Sequence, residues 1–255
     1  MRKLLVFLVI ATLCGCEVIS EGDRLIPVET STSGHRTHVL IEYTGFRCVN
    51  CPTAAQTAQT LQELYGEQLS VVSLHPASNP FTQGKYDYTC PAADSLYRLM
   101  GGDASTPFPT GNIDFKKSDD RWFFDHAEWP AQVSRAMEDT VAPYLHISTQ
   151  TDSVSRQVTV TALYELAAEY RLTLWLVEDS VLGVQAMPDG EVNMAYYHRH
   201  VLRAVTDEQM LTVPETCDLR HCSVLALLID NLDYHILNAY ETKLDYFTGM
   251  YALDN

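Results

Sequence analysis

The sequence is poor in basic residues: 17 Lys and Arg stand against 33 Asp and Glu in 255 residues, a formal net charge of -16. A protein that binds nucleic acid through the phosphate backbone needs the opposite sign, so no nucleic-acid partner is expected. Glycine and proline, at 12 and 11 residues, are too few for a collagen-like or low-complexity chain. Neither a glycine-rich phosphate loop nor a Ser-His-Asp constellation is recognisable. The seven cysteines therefore carry most of the chemical information.

The first sixteen residues have the pattern of an export signal. Arg2 and Lys3 precede an apolar run over residues 4–13, about the length of a signal-peptide core and too short to span a bilayer. The run ends in Leu13-Cys14-Gly15-Cys16, which resembles the lipobox of bacterial lipoproteins. That resemblance implies that Cys16 carries a lipid that includes palmitate. Because no later stretch approaches ~20 apolar residues, the protein is expected to be anchored and not to span the membrane.

Five cysteines remain after the signal peptide, and an exported protein meets an oxidising compartment. They are Cys48, Cys51, Cys90, Cys217 and Cys222. They are accordingly interpreted as disulfide or redox groups. Because five is odd, at least one thiol stays free, is transient or pairs with another molecule.

Residues 17–34 are polar and lack periodicity, so they are expected to form a tether. In residues 35–143, buried strands are expected at 38–43 and 69–74, with a helix between them that starts at Cys51 and stops at Gly66. Strand, helix and strand with short connections form a parallel crossover unit. Two more helices are expected at 90–100 and 129–141, and a strand at 112–115.

The pattern changes after Pro143. Six segments of residues 144–255 alternate or are rich in β-branched and aromatic residues: 146–149, 157–164, 171–177, 194–205, 223–229 and 236–244. Short strands of this kind without clear helices predict an antiparallel, Ig-like β-sandwich. The fold class expected is thus an α/β domain (35–143) followed by an all-β domain (144–255).

Cys48 and Cys51 have the spacing of an exchanging dithiol. Cys48 lies at the expected helix start, where amide groups and the helix dipole favour a thiolate, and Arg47 adds positive charge. An exposed Cys48 would attack a disulfide and a more covered Cys51 would resolve the mixed disulfide. A purely structural disulfide and a metal site are the alternatives, although a metal site usually needs a second Cys or His pair.

These residues resemble the thioredoxin fold. The stretch Val39-Leu40-Ile41-Glu42-Tyr43-Thr44-Gly45-Phe46-Arg47-Cys48-Val49-Asn50-Cys51 is similar to the first core strand and active-site loop of thioredoxin-like proteins. The resemblance implies a buried carboxylate at Glu42 and a cis-proline loop at Phe108-Pro109-Thr110 opposite the disulfide. It also implies a substrate groove formed by Arg47, Phe108 and Thr110. Arg47 replaces the usual tryptophan before the first cysteine, and Val49-Asn50 separates the two cysteines.

The arrangement of lipobox, thioredoxin-like half and β-rich half with Tyr197-His198-Arg199-His200-Val201-Leu202-Arg203 resembles the Omp-type outer-membrane lipoproteins of Bacteroidetes. This resemblance implies an outer-membrane location in a Gram-negative envelope, on the periplasmic or the surface face. It implies no particular substrate.

Other residues have open interpretations. Glu42 either takes the proton of Cys51 or is a solvated carboxylate at a strand end. Cys90 is a third redox cysteine, an inert thiol or an intermolecular bridge, and Cys217 and Cys222 are expected to form a structural disulfide. His198 and His200 would share one face of a strand, with cross-strand hydrogen bonding preferred over a metal site. Asp230, Asn231 and Asp233 predict a hairpin turn.

Two functions follow from these patterns. The first is thiol-disulfide exchange with exported protein thiols or disulfides, with Cys48, Cys51, Glu42 and Pro109 as the catalytic set and a membrane redox partner for recycling. The second is a non-catalytic binding or structural lipoprotein in which Cys48 and Cys51 form a permanent bridge. Neither function requires a cofactor or a metal.

Overall fold

The computed structural model describes residues 34–86, 88–165 and 167–246. The expected signal peptide with Cys16, and the expected tether apart from Gly34, lie outside these residues. The α-helices within these ranges are α1 (Cys51–Tyr65), α2 (Pro91–Leu99) and α3 (Trp129–Ala136). The strands are β1 (Gly34–His35), β2 (His38–Tyr43), β3 (Leu69–Leu74), β4 (Thr110–Ile113), β5 (Val141–Ala142), β6 (Leu145–Asp152), β7 (Gln157–Tyr164), β8 (Tyr170–Glu178), β9 (Val181–Ala186), β10 (Val192–His198), β11 (Val201–Thr206), β12 (Met210–Thr212), β13 (Cys222–Asp230) and β14 (Ile236–Lys243).

The expected crossover unit is present. Strand β2 pairs in parallel with β3, and every residue of both strands is buried, as continuous apolar runs indicate. Helix α1 connects them, with Pro52 in its first turn, where a missing amide hydrogen costs no helical bond. It ends at Gly66, whose positive φ of 57° suits glycine. Strand β4 pairs antiparallel with β2 on the other side.

A seven-stranded sheet, in the order β14-β13-β8-β11-β3-β2-β4, contains strands from both expected domains. Strand β11 joins them, because it pairs in parallel with β3 and antiparallel with β8. All of the described residues belong to one compact unit. The expected boundary at 143/144 therefore does not separate two sheets.

One face of this sheet is packed by helices at one end and by a second sheet at the other. Helices α1 and α3 pack over β2, β3 and β4 through Leu40, Val71 and Ile113. At the other end the three-stranded sheet β12-β7-β6 packs over β8 and β13, so this part is a β-sandwich. Strand β6 alternates buried and more exposed residues, which is the pattern of a sheet with one solvated face. The fold is thus mixed α/β with a sandwich layer.

One expected helix and one expected strand differ from the structure. The helix expected at 129–141 ends at Ala136, because residues 138 and 139 are acidic and unfavourable at a helix C-terminus. Asp139 instead forms an ion pair with Arg36 at 2.9 Å. The strand expected at 194–205 is two strands, β10 and β11, in different sheets. His200, with φ of 53°, lies in the turn between them.

Strand β9 was missed by the sequence patterns. It pairs with β10 in a separate two-stranded hairpin, with Leu182 opposite Tyr197. The hairpin turn expected at residues 230–233 is confirmed, since it connects β13 to β14.

Candidate functional site

A disulfide joins Cys48 and Cys51 at the start of α1, with their Cα atoms 5.4 Å apart. Cys51 is the first residue of the helix, and Cys48 lies in the turn before it. The Cys48 amide donates to the Gly45 carbonyl at 3.0 Å, and the Cys51 amide donates to the Cys48 carbonyl at 3.3 Å. The bridge therefore closes the turn that leads from β2 into α1.

Both cysteines are buried. Cys48 is 1% exposed and Cys51 is 2% exposed. The expectation of an exposed Cys48 is wrong, although the neighbouring residues Arg47, Val49 and Asn50 are exposed. A sulfur that is covered in this way cannot be reached by a protein substrate without local opening.

The β9-β10 hairpin covers the disulfide loop. The Gln185 side-chain amide donates to the carbonyl of Cys48 at 2.8 Å, and the Ala186 amide donates to the carbonyl of Phe46 at 2.8 Å. Tyr88 packs against Phe46, and its hydroxyl accepts a bond from the Val184 amide at 2.8 Å. Sequence patterns gave no signal for this contact, because Gln185 and Cys48 are 137 residues apart and β9 was not predicted.

Of the residues expected opposite the disulfide, Phe108 lies in the same apolar cluster as the two cysteines. The Phe108–Pro109 peptide is cis, and Phe108 is buried in the cluster that contains Cys48 and Cys51. Phe81 stacks on Phe108 with their ring centroids 6.0 Å apart. Thr110 is also buried, and its hydroxyl donates to the Phe124 carbonyl at 3.1 Å. Of the expected groove residues, only Arg47 is exposed, so no open groove is formed by the three.

Glu42 lies within the sheet and does not face water. It is 2% exposed, and the Ser73 hydroxyl donates to its Oε2 at 2.9 Å. Burial raises the pKa of Glu42 to about 7. A cavity of about 20 Å³, enough for about one water molecule, is bordered by Glu42, Cys51 and Ser73. The interpretation of Glu42 as a solvated strand-end carboxylate is therefore wrong.

Two buried histidines border the same cavity. The rings of His75 and His198 lie 5.6 Å apart, and burial lowers the pKa of both, that of His198 to about 4. A ring nitrogen of His198 lies 3.2 Å from the Val184 carbonyl. His200 does not share a strand face with His198, because it lies in the turn after β10. Across the described ranges, no cluster of three metal-binding side chains is arranged to hold an ion.

The remaining cysteines occupy two places. Cys90 is buried in the same apolar cluster as Cys48 and Cys51, directly before α2. Cys217 and Cys222 are adjacent but not bonded to each other, contrary to the expected structural disulfide. The Cys222 thiol instead forms a hydrogen bond with Cys217.

A separate cleft of about 1030 Å³ lies between the end of α1 and β14. Arg36, Ser70 and Lys243 are among its lining residues. Glu241 accepts bonds there from Ser223 at 2.6 Å and from Ser70 at 3.2 Å. This volume is typical of a small-ligand site.

Comparison with known proteins gives a match to one family model and two structures of similar fold. Residues 103–210 match the family model of outer membrane protein Omp28. The matched segment crosses residues 143/144 and excludes Cys48 and Cys51. Its name agrees with the outer-membrane location expected from the sequence. No curated protein matches.

Two solved structures are similar in fold. HBP35 of Porphyromonas gingivalis superposes with a TM-score of 0.59 at 17% identity, over 84% of this chain and 76% of that chain. A crystal structure of an Agrobacterium tumefaciens protein gives a TM-score of 0.51 at 11% identity, over 83% of this chain and 98% of that chain. In the described part of the chain, no helix combines the length and apolarity needed to cross a membrane.

Proposed function

We propose that this chain is a structural or binding lipoprotein of the outer membrane, held by a lipid on Cys16, with a thioredoxin-like half used as a scaffold. The Leu13-Cys14-Gly15-Cys16 segment and the Omp28 match support the location. The β2-α1-β3 crossover, with β4 antiparallel to β2 after the cis Phe108–Pro109 peptide, supports the thioredoxin-like assignment.

The burial of the Cys48–Cys51 disulfide is the observation that carries this proposal. Exchange requires a thiolate to approach one sulfur in line with the S–S bond. Here the Gln185 and Ala186 contacts hold the β9 strand over the loop, and Phe108 packs in the cluster that contains both sulfurs. The disulfide therefore fixes the start of α1 and the end of β2. The cleft beside Glu241 is our proposed place for a bound ligand.

A redox titration of the native protein tests this function. We expect the Cys48–Cys51 pair to stay oxidised down to about -300 mV, the range of structural disulfides. We also expect Cys51→Ala to accumulate no mixed disulfide with exported proteins. A potential well above that value, together with trapped mixed disulfides, would contradict the proposal.

Thiol-disulfide exchange on exported proteins is the second candidate, and Glu42 favours it. Its carboxyl has a pKa of about 7 and borders the same small cavity as Cys51, so it could take the proton that Cys51 loses when it resolves a mixed disulfide. This function requires the β9-β10 hairpin to open. The titration and the trapping experiment separate the two candidates, because exchange predicts the opposite result in both.

A further inference from the structure

Cys217 lies beside a buried ion pair between Arg203 and Glu178. The Nε of Arg203 donates to the Cys217 sulfur at 3.1 Å and lies 3.1 Å from a carboxylate oxygen of Glu178. The other oxygen of Glu178 accepts a bond from the Asp218 amide at 2.7 Å. Arg203 and Glu178 are both largely buried, so their interactions are weakly screened by solvent. One guanidinium is thus shared between a carboxylate and a sulfur.

A second arginine holds the loop that carries this sulfur. Arg156 donates to the carbonyls of Val213, Pro214 and Cys217, at 3.0, 2.8 and 2.6 Å. These bonds fix the backbone on the N-terminal side of Cys217, while the Asp218 amide is fixed by Glu178. The position of the sulfur relative to Arg203 is therefore set by the fold on both sides.

Cys222 is placed as a partner thiol. Its Sγ lies 3.3 Å from the Asp218 carbonyl oxygen and within hydrogen-bond reach of Cys217, so its one proton is donated to either acceptor. The bond from Cys222, followed by Arg203, lowers the pKa of Cys217 to about 7. The same bond and burial raise the pKa of Cys222, so that Cys222 keeps its proton. The pKa of Cys217 is thus lowered and that of Cys222 is raised, while the two thiols lie within hydrogen-bond reach of each other.

We infer that Cys217 and Cys222 form a peroxide-oxidisable dithiol, in which Cys217 is attacked first and Cys222 closes the disulfide. Peroxide is suited to this site because it is nearly as small as water. Cys217 is 5% exposed and directly follows the exposed residues Glu215 and Thr216 in the chain. Low-pKa thiolates beside a second cysteine are the thiols that oxidise reversibly.

The chemistry balances in two steps. The Cys217 thiolate attacks one oxygen of hydrogen peroxide, an S–O bond forms, the O–O bond breaks, and the departing hydroxide takes a proton to become water. Cys222 then gives up its proton and attacks the Cys217 sulfur; the S–S bond forms and the S–O bond breaks. The second hydroxide takes the Cys222 proton. Two thiols are oxidised, and one peroxide is reduced to two waters.

Peptide mapping of the full chain tests this inference. Trypsin cleaves after Arg220, so Cys217 and Cys222 fall on different peptides, 204–220 and 221–243, which stay linked only by a disulfide. The protein is treated with dithiothreitol, freed of it, exposed to hydrogen peroxide at pH 7 and quenched with a maleimide. We expect the linked peptides to form. We expect Cys222→Ser, which keeps a hydrogen-bond donor beside Cys217 but cannot close a disulfide, to give a Cys217 sulfenic acid that dimedone labels. Cys90, on peptide 86–98, is the internal comparison.

The oxidation rates of Arg203 variants test whether Arg203 activates the Cys217 thiol. Arg203→Met should slow oxidation of Cys217 at least ten-fold, because the thiolate fraction at pH 7 falls, whereas Arg203→Lys keeps a cation and should slow it less. In the unmodified protein the rate of Cys217 oxidation should be half-maximal near pH 7. Besides Arg203, the charged groups around the sulfur are Glu178, Arg156 and Asp218.

Three results would overturn the inference. The first is that maleimide still labels Cys217 and Cys222 after peroxide treatment, and the second is that dithiothreitol does not reduce the linked pair in the folded protein. The third is that a folded Arg203→Met variant is oxidised at an unchanged rate. The inference is independent of the Cys48–Cys51 pair, whose peptide is followed in the same digest.

Discussion

At the scale of single residues, the burial of Glu42 controls how stability depends on pH. The folded carboxyl keeps its proton up to about pH 7, whereas the unfolded carboxyl loses it near 4.5. The resulting stabilisation is complete below pH 4.5 and is lost as the pH rises through 7. We expect the free energy of unfolding to fall by about 3 kcal/mol more in the native protein than in Glu42→Gln between pH 4.5 and 7.5. Urea denaturation at both values measures the difference.

The glutamine variant is a close match, because its side-chain oxygen can still accept the Ser73 hydroxyl while it carries no titrating group. Glu63→Gln, on the exposed face of α1, is the control and should leave the pH dependence unchanged. If Glu42→Gln retains the full pH dependence of the native protein, the carboxyl does not titrate as its burial requires.

At the scale of elements, the sequence predicted those whose pattern is local. Strands β2 and β3 were predicted at their bounds because continuous apolar runs mark strands buried on both faces. The start and stop of α1 follow from Cys51-Pro52 and Gly66. Strand β9 was missed because its hairpin packs on the disulfide loop and therefore lacks a regular alternation.

The sequence predicted which residues lie at the candidate site but not that they are buried. Cys48, Cys51, Glu42 and Phe108-Pro109 were found from the sequence, since each lies in or beside the β2-α1 and β4 segments. What covers them comes from β9 and from Tyr88, which are distant in sequence. Burial of this kind depends on tertiary contacts, and no local periodicity encodes those. The same is true of Arg203 beside Cys217, which are 14 residues apart on different elements.

The contact of β9 with the disulfide loop predicts how easily the disulfide is reduced. In Gln185→Ala the bond to the Cys48 carbonyl is lost, which costs about 1 kcal/mol and favours opening of the hairpin. We expect the native protein to resist dithiothreitol and Gln185→Ala to be reduced several-fold faster, as measured by alkylation and mass spectrometry of the peptide that begins at Cys48. Leu182→Ala, an exposed change on the same strand, should have no effect. Equal rates for Gln185→Ala and the native protein would show that the hairpin does not protect the disulfide.

At the scale of the whole molecule, the two halves of the chain share one sheet and one core. Phe115 packs on Trp175 with their ring centroids 5.8 Å apart, and both belong to the cluster that contains Cys48 and Ile236. The backbone bonds also cross between the halves, since the Ile236 amide donates to the Asp114 carbonyl at 3.0 Å. Strand β3 has β2 on one side and β11 on the other. Removing residues 144–255 would therefore expose both an edge of the sheet and an apolar face of the core.

These contacts predict that the chain unfolds as one unit. We expect residues 34–246 to show a single urea transition that is the same by far-ultraviolet circular dichroism and by tryptophan fluorescence. Trp122 and Trp129 precede residue 143 and Trp175 follows it, so fluorescence reports on both halves. We expect the fragment 34–143 to lack a cooperative transition, because β3 without β11 leaves an unpaired strand edge next to apolar residues that β8 and β13 normally cover. A cooperative transition in that fragment, or two separate transitions in the longer chain, would instead restore the division at residue 143 that the sequence pattern suggests.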